Sequence, residues 1–188
     1  MQQIAYYWIT TLSLKHAILV MLEQEPSSGY DLLRHFRGSL GYFWNAKHQQ
    51  IYRQLKQLCD EQLVTFESTS QSHKPDKKVY NISSKGREEL LQWLSEPVSP
   101  NKINDALLVK IYGAELGDSR NVESELKRHI EIHEKRLDEL KTIEHQYTSL
   151  PEDKQVANRY PYLTLRRGII GEEAWLQWAD EAIQLFKK

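Results

Sequence analysis

The sequence predicts a mainly α-helical protein with one small β-hairpin, and three observations carry that reading. Glycine and proline are scarce, 8 and 6 among 188 residues, whereas a β-sandwich or barrel needs turn residues every 8 to 12 or so positions. Between Val64 and Ile82 the apolar period shortens from helical to strand-like, with Val64 and Phe66 on one side of a polar stretch, Ser68 to Lys78, and Val79, Tyr80 and Ile82 on the other. That is the pattern of a hairpin. Farther on, Leu126, Ile130, His133, Leu137, Leu140, Glu144 and Tyr147 are spaced alternately by four and three residues, the heptad of a helix that wants a coiled-coil partner.

The elements follow in order. Leu14, Ala17, Ile18, Met21 and Leu22 recur at helical spacing and stop before Pro26, so a short helix opens the fold. Ser27 and Ser28 can cap a second helix through Tyr30, Leu32, Leu33 and Phe36, with Gly38 and Gly41 at its exit. A third begins near Asn45, burying Ile51, Leu55, Leu58 and Leu63 and turning Gln49, Arg53, Lys56 and Gln57 to solvent. After the hairpin, Ser84 precedes Leu90, Leu91, Trp93 and Leu94, a fourth helix. Pro97 and Pro100 mark a boundary between domains at 1–96 and 97–188.

In the second domain Ala106 to Leu116 forms a connecting helix. The heptad helix comes next, then a polar loop bracketed by Pro151 and Pro161, then a last helix with Leu163, Ile169, Ile170, Trp175, Trp178, Ala182 and Leu185. Loop and helices make an antiparallel hairpin. Apolar positions surround the last helix, so a single neighbour cannot cover it and a second subunit is the expected cover. The candidate dimerisation residues are Leu126, Ile130, His133, Leu137, Leu140, Tyr147, Ile169, Ile170, Trp175 and Trp178.

Charge narrows the function. Lys and Arg number 25 against 26 Asp and Glu, a net −1 that excludes a histone-like polycation or an acidic tail protein. Residues 1–95 carry +2 and 96–188 carry −3, while Lys47 to Arg87 alone carries +4. A neutral total thus conceals a basic segment. The longest aliphatic stretch, Ala17 to Leu22, is far below the ~18 residues of a membrane span, and no Lys or Arg precedes Lys15 to flank a secretory signal. With Cys59 as the single cysteine, the expectation is a cytoplasmic protein without an internal disulfide.

No glycine-rich phosphate loop, nucleophile elbow or supported carboxylate pair appears, so the expectation is no enzyme and no cofactor. His129 and His133 stand one turn apart, but no Glu follows His129 as a zinc-protease pattern requires. His133 reads as a polar seam position that fixes register rather than a metal ligand. Cys59, at helical spacing from Leu55 and Leu63, reads as a small core residue.

Three helices, a hairpin and a basic polar face on the third helix compose a winged helix-turn-helix. A helix fits the major groove of B-form DNA, where the amides of Gln49 and Gln50 can pair bidentately with adenine and Arg53 can reach guanine or phosphate. Lys47, His48 and Lys56 share that helix, and the hydroxyls of Tyr30 and Tyr52 suit phosphate. The hairpin tip, Lys74 to Lys78, would lay Lys74, Lys77 and Lys78 against the adjacent backbone or minor groove, with Tyr80 close behind.

The runs Ser28-Gly29-Tyr30-Asp31-Leu32, Ile51-Tyr52-Arg53-Gln54-Leu55 with Leu58, Lys78-Val79-Tyr80 and Lys85-Gly86 resemble the PadR family of transcriptional regulators, over nearly the whole chain. Gly41-Tyr42-Phe43-Trp44, His48-Gln49-Gln50, Lys74-Pro75-Asp76, Leu163-Thr164-Leu165-Arg166-Arg167 and Trp175 to Glu181 resemble its virulence activators in particular. The resemblance implies a homodimer of winged-helix domains joined through long C-terminal helices. It implies binding to a partly palindromic site in double-stranded promoter DNA, with a second transcription factor or RNA polymerase as a further partner.

The chain departs from the family at Gln62, where glycine usually closes the recognition helix, and a left-handed cap without glycine costs about 1 kcal/mol. A different cap is therefore expected. Residues 1–11, with Tyr6, Tyr7 and Trp8, precede the usual family start and suggest an added arm packing on the dimer. Two alternatives stay open: a repressor released by a small aromatic effector held between subunits near Trp93, Trp175 and Trp178, and a helical adaptor whose winged domain binds protein.

Overall fold

The computed structural model describes residues 14–37, 46–71, 74–100 and 104–187, which form two compact units divided between Ser99 and Pro100. The expectations placed on the N-terminal arm, Gly38, Gly41, Asn45 and the 41–44 motif lie outside the described residues.

The first unit runs α1 (residues 14–24), β1 (Ser27–Ser28), α2 (Gly29–Arg37), α3 (His48–Asp60), β2 (Val64–Gln71), β3 (Lys74–Ile82) and α4 (Ser84–Ser95). Its core takes Leu14, Ile18, Met21, Leu22, Leu32, Leu33 and Phe36 from the expected apolar runs, adds Leu19 from outside them and leaves Tyr30 exposed. Ile18, Leu19, Leu32, Ile51, Leu55 and Leu58 are wholly buried, each contributing roughly 1.5–3 kcal/mol of hydrophobic free energy. The sheet is a winged-helix sheet with one more strand than the sequence suggests. β1 pairs antiparallel with β3, Ser27 opposite Tyr80 and Ser28 opposite Val79, so the strand order is β1-β3-β2.

The polar stretch expected at the hairpin tip is largely strand. β2 and β3 pair from Val64 opposite Ile82 to Gln71 opposite Lys74, with an irregularity between Thr69 and Gln71. Lys77 and Lys78 therefore lie along β3, opposite Thr69 and Ser68.

The end of α3 also corrects the expectation. Gln62 does take the left-handed conformation, φ 62°, without glycine. Gln62 N donates to Cys59 O and Leu63 N donates to Leu58 O, both at 2.9 Å, which is a complete Schellman motif. Further bonds fix the turn: Ser83 Oγ donates to Gln62 O at 2.8 Å and Lys85 Nζ to Glu61 O at 2.9 Å. Together with the burial of Leu63, these offset the backbone cost. Leu63 thus joins the core from a turn and not from the helix. Ser83 caps α4, its Oγ accepting from Gly86 N at 3.0 Å. Leu90 is buried, whereas Leu91 and Leu94 face solvent.

The second unit comprises α5 (Ala106–Tyr112), a 3-10 turn (Ala114–Leu116), α6 (Ser119–Thr148), α7 (Glu152–Ala157) and α8 (Arg159–Phe186). The connecting helix expected over Ala106 to Leu116 breaks at Gly113, and the expected polar loop folds as α7. Pro161 sits in the first turn of α8, where its missing N–H has no intrahelical acceptor to lose.

α6 and α8 pack antiparallel. Tyr147 stacks on Tyr162 at one end, Arg166 Nη1 donates to Glu144 at 2.8 Å, His133 meets Glu172 midway, and Leu126 joins Ala179, Ala182 and Ile183 at the other end. The heptad's partner is therefore α8 of the same chain. Leu126, Leu140 and Ile169 are buried between the two helices; Ile130, His133, Leu137, Tyr147, Trp175 and Trp178 are half-buried. Among the described residues no helix is long and apolar enough to cross a membrane.

Candidate nucleic-acid interface

α3 is the centre of the site. Its start needs no Ser or Asp: Lys47 takes an extended backbone, φ −77° and ψ 150°, and its N–H donates to Gln50 Oε1 at 2.8 Å. Gln50 thus closes the helix end from within, as the third residue of a capping box does. The Gln50 carbonyl is thereby engaged at the helix end.

With Ile51, Leu55 and Leu58 inward, His48, Gln49, Tyr52, Arg53 and Lys56 emerge on one solvent-facing stripe. Their spacing of four residues, doubled, places them along a single side of the helix. The His48 and Tyr52 rings lie 4.4 Å apart, which aligns both with that side. Gln54, by contrast, is buried.

Tyr52 links the stripe to α2. Its ring sits so close above Gly29 that a Cβ there would lie 2.8 Å from Cζ. The next residue, Tyr30, is 68% exposed, as a phosphate contact requires. At the start of α2, Ser28 and Asp31 form a reciprocal cap: Asp31 N donates to Ser28 Oγ at 3.2 Å, and Ser28 Oγ donates to Asp31 Oδ2 at 2.6 Å. The Ser28 bond, with Lys77 adding to it, holds the Asp31 carboxyl below the usual carboxylate range.

β3 joins the same surface. Lys77 Nζ lies 3.3 Å from Asp31 Oδ2, and Lys78 Nζ lies 4.3 Å over the Phe66 ring, a cation–π contact on the face of the ribbon that Phe66 shares with Tyr80. α2 start, α3 stripe and wing are thereby joined through Tyr52 with Gly29 and through Asp31 with Lys77. The side chain of Lys74 is outside the described residues.

Tyr80 does not belong to this surface. It is 8% exposed, packs against Phe66 at 5.7 Å, and burial pushes its phenol up, so its ring cannot reach a phosphate. Cys59 is half-buried, and burial pushes its thiol up, away from a reactive thiolate. In the second unit, His133 is engaged by Glu172 and stacked on Trp175 at 3.6 Å, with Arg136 Nε 3.3 Å from the same carboxylate. Among the described residues no group of His, Cys, Asp and Glu is arranged to hold a metal. Sequence reasoning assigns no role to Asp31 or Phe66. The Ser-x-x-Asp spacing at 28 and 31 is a capping signature that could have flagged the first.

Residues 18–92 match the transcriptional regulator PadR-like family, and residues 103–187 match the virulence activator alpha C-term family. A probable transcriptional regulator of Mycobacterium tuberculosis is 38% identical over 187 residues, covering 94% of this chain and 99% of its own. The structure of Bacillus subtilis PadR in complex with operator DNA is similar with a TM-score of 0.79 at 29% identity, over 92% of this chain and 98% of that one. The same protein in complex with p-coumaric acid matches with a TM-score of 0.75 at 27% identity, over 93% and 99%. The Vibrio cholerae virulence activator AphA matches with a TM-score of 0.74 at 30% identity, over 93% and 98%. The negative transcriptional regulator PadR of B. subtilis is 30% identical over 179 residues, covering 93% of this chain and 98% of its own, and with the match of residues 18–92 this shows that the chain belongs to the PadR-like family of transcriptional regulators.

Proposed function

We propose that the protein is a cytoplasmic regulator that binds double-stranded promoter DNA sequence-specifically as a homodimer, through the winged domain 1–96, and dimerises through 97–188. The observation that carries the reading is the surface of His48, Gln49, Tyr52, Arg53 and Lys56 continued by the α2 start and by Lys77 of β3. A helix presenting amide and guanidinium groups beside a basic ribbon suits a major groove flanked by phosphates. The operator complex of the B. subtilis relative supports the same use.

The dimer rests on surface left apolar after α6 and α8 have packed. Leu163 and Ile170 on α8 and Ile132 on α6 are all substantially exposed, and such residues ask for a partner. A twofold dimer presents two α3 helices, so it should protect two half-sites about one helical turn or a multiple apart. Footprinting on bound genomic fragments, with affinity measured over a range of salt, tests this. Single half-site protection or salt-indifferent affinity would refute it, because neutralising phosphates releases counterions.

The p-coumaric acid complex of the B. subtilis relative keeps effector release as a second reading. In this chain Trp175 is stacked on His133 and meets Trp178 edge-on at 5.6 Å, which supports packing as the role of both.

A further inference from the structure

We propose that Asp31 is a specificity-setting residue: its carboxylate stands in for a DNA phosphate on Lys77 and restrains non-sequence-specific binding. The proposal rests on the DNA-binding reading above.

Asp31 is an anion placed between two exposed cations of the candidate interface. Lys77 Nζ is 3.3 Å from Oδ2 and Arg34 Nη2 is 3.8 Å from Oδ1. The carboxylate cannot swing aside, because Ser28 Oγ holds Oδ2 at 2.6 Å and its own backbone N–H is bound to the same hydroxyl. Lys77 and Arg34 are themselves well exposed, so these ion pairs lie in water and are weak enough for a phosphate oxygen to displace. Lys78, resting over Phe66, is a cation of a different kind on the same strand.

Two consequences follow for DNA. An approaching duplex meets a Lys77 whose charge is already balanced, which removes about one cation from long-range attraction. Non-specific binding is almost wholly electrostatic, so it bears this loss directly. The tether also presents the Lys77 ammonium at one place on the surface. A phosphate that the α3 base contacts bring to that place meets an ordered donor, whereas one in another register does not.

The test is binding of full-length wild type, Asp31→Asn, Lys77→Met and the double variant to a specific and a scrambled duplex at several salt concentrations. Asn keeps the shape and can still accept from Ser28. Asp31→Asn should bind the scrambled duplex on the order of tenfold more tightly at low salt, steepen the salt slope by about one unit, and lower the ratio of specific to scrambled affinity. In the Lys77→Met background the same substitution should change little.

Scrambled-duplex affinity that stays level or falls in Asp31→Asn, with an unchanged thermal melt, overturns the proposal. A gain of equal size without Lys77 also overturns it. Ser28→Ala loosens the cap but keeps the charge; if it reproduces the Asp31→Asn result, Asp31 is only a helix cap. Wild type that shows no salt-dependent duplex binding refutes the DNA-binding reading itself, a result distinct from any of these.

Discussion

The Tyr52 ring closes over Gly29, leaving 2.8 Å between Tyr52 Cζ and the place a Cβ would occupy. The contact ties the exposed side of α3 to the start of α2, two elements that reach the surface from separate parts of the chain. Glycine there allows this close approach and serves no backbone need, since Gly29 has no positive φ.

Gly29 and Gly86 should respond differently to alanine. At Gly29 the obstacle is the far end of a side chain that can rotate away, so Gly29→Ala should cost under about 1 kcal/mol yet displace Tyr52 and weaken duplex binding. At Gly86 the new Cβ would lie 2.0 Å from the Leu63 carbonyl oxygen, which also accepts from Ser83 N at 3.0 Å. Backbone must move, and Gly86→Ala should lose about 3 kcal/mol or more. Thermal melts with duplex titrations of both variants check the contrast.

Gln62→Gly should stabilise the protein. The Schellman turn places a side chain at φ 62°, a conformation that glycine adopts freely, although the greater freedom of glycine in the unfolded chain offsets part of the gain. A net gain of about 0.5–1 kcal/mol is expected, with the melting temperature rising by a few degrees and duplex affinity unchanged. A lower melting temperature would mean that the Gln62 side chain contributes more than its backbone strain costs.

The helices of the first unit are legible in the sequence because Ile51, Leu55 and Leu58 obey a period that burial enforces. The exposed stripe opposite them follows automatically. The third strand is not legible, since Ser27 and Ser28 are two residues whose pairing with β3 is non-local and whose side chains suit a helix cap equally well. Tyr80 is misplaced by sequence reasoning because it shares its face of β3 with the exposed Lys78 two residues earlier: that face is solvated toward the tip and covered toward the base, where Tyr80 lies opposite Phe66 and is 8% exposed. The ion pair of Asp31 with Lys77 joins residues 46 positions apart, beyond any local pattern. In the second unit the heptad is legible as a seam, but spacing alone does not say whether the covering helix belongs to the same chain.

Acid should loosen the first unit through Glu89. Its carboxyl accepts from Lys15 Nζ at 2.8 Å, and that bond holds it below the usual glutamate range against the opposing effect of burial. Because the folded value is the lower one, the stabilisation is complete above the unfolded value, about 4.3, and is lost as pH falls through the folded value. Glu89→Gln should therefore flatten the acid side of the stability profile. Denaturant melts across that range measure it. An identical acid slope in the variant would remove Glu89 from the account.

Ile169 and Ile170 should separate folding from assembly. Ile169 is fully buried between α6 and α8, whereas Ile170 is 51% exposed. Ile169→Ala should cost roughly 2–5 kcal/mol of stability. Ile170→Glu should leave the helical hairpin folded and shift sedimentation from dimer to monomer. Retention of the dimer by Ile170→Glu and by Leu163→Glu would place the subunit interface elsewhere.

Base reading and phosphate holding should divide between α3 and the wing, with Gln50 set apart from both. Gln49 and Arg53 stand one turn apart on the exposed stripe, and neither is needed to close the helix end. Gln50 Oε1, at 2.8 Å from Lys47 N, secures the helix start, so Gln50→Ala would disturb fold and recognition together and cannot discriminate between them. Alanine at Gln49 or Arg53 should instead lose roughly 1–3 kcal/mol at the specific site while largely sparing scrambled duplex, as direct readout requires. Lys78→Ala on β3 should weaken both duplexes alike and flatten the salt slope by about one unit for each phosphate it no longer neutralises. Affinities for the two duplexes at several salt concentrations give both quantities from one experiment. Full discrimination retained by the Gln49 and Arg53 variants would show that the exposed stripe of α3 is not the reader.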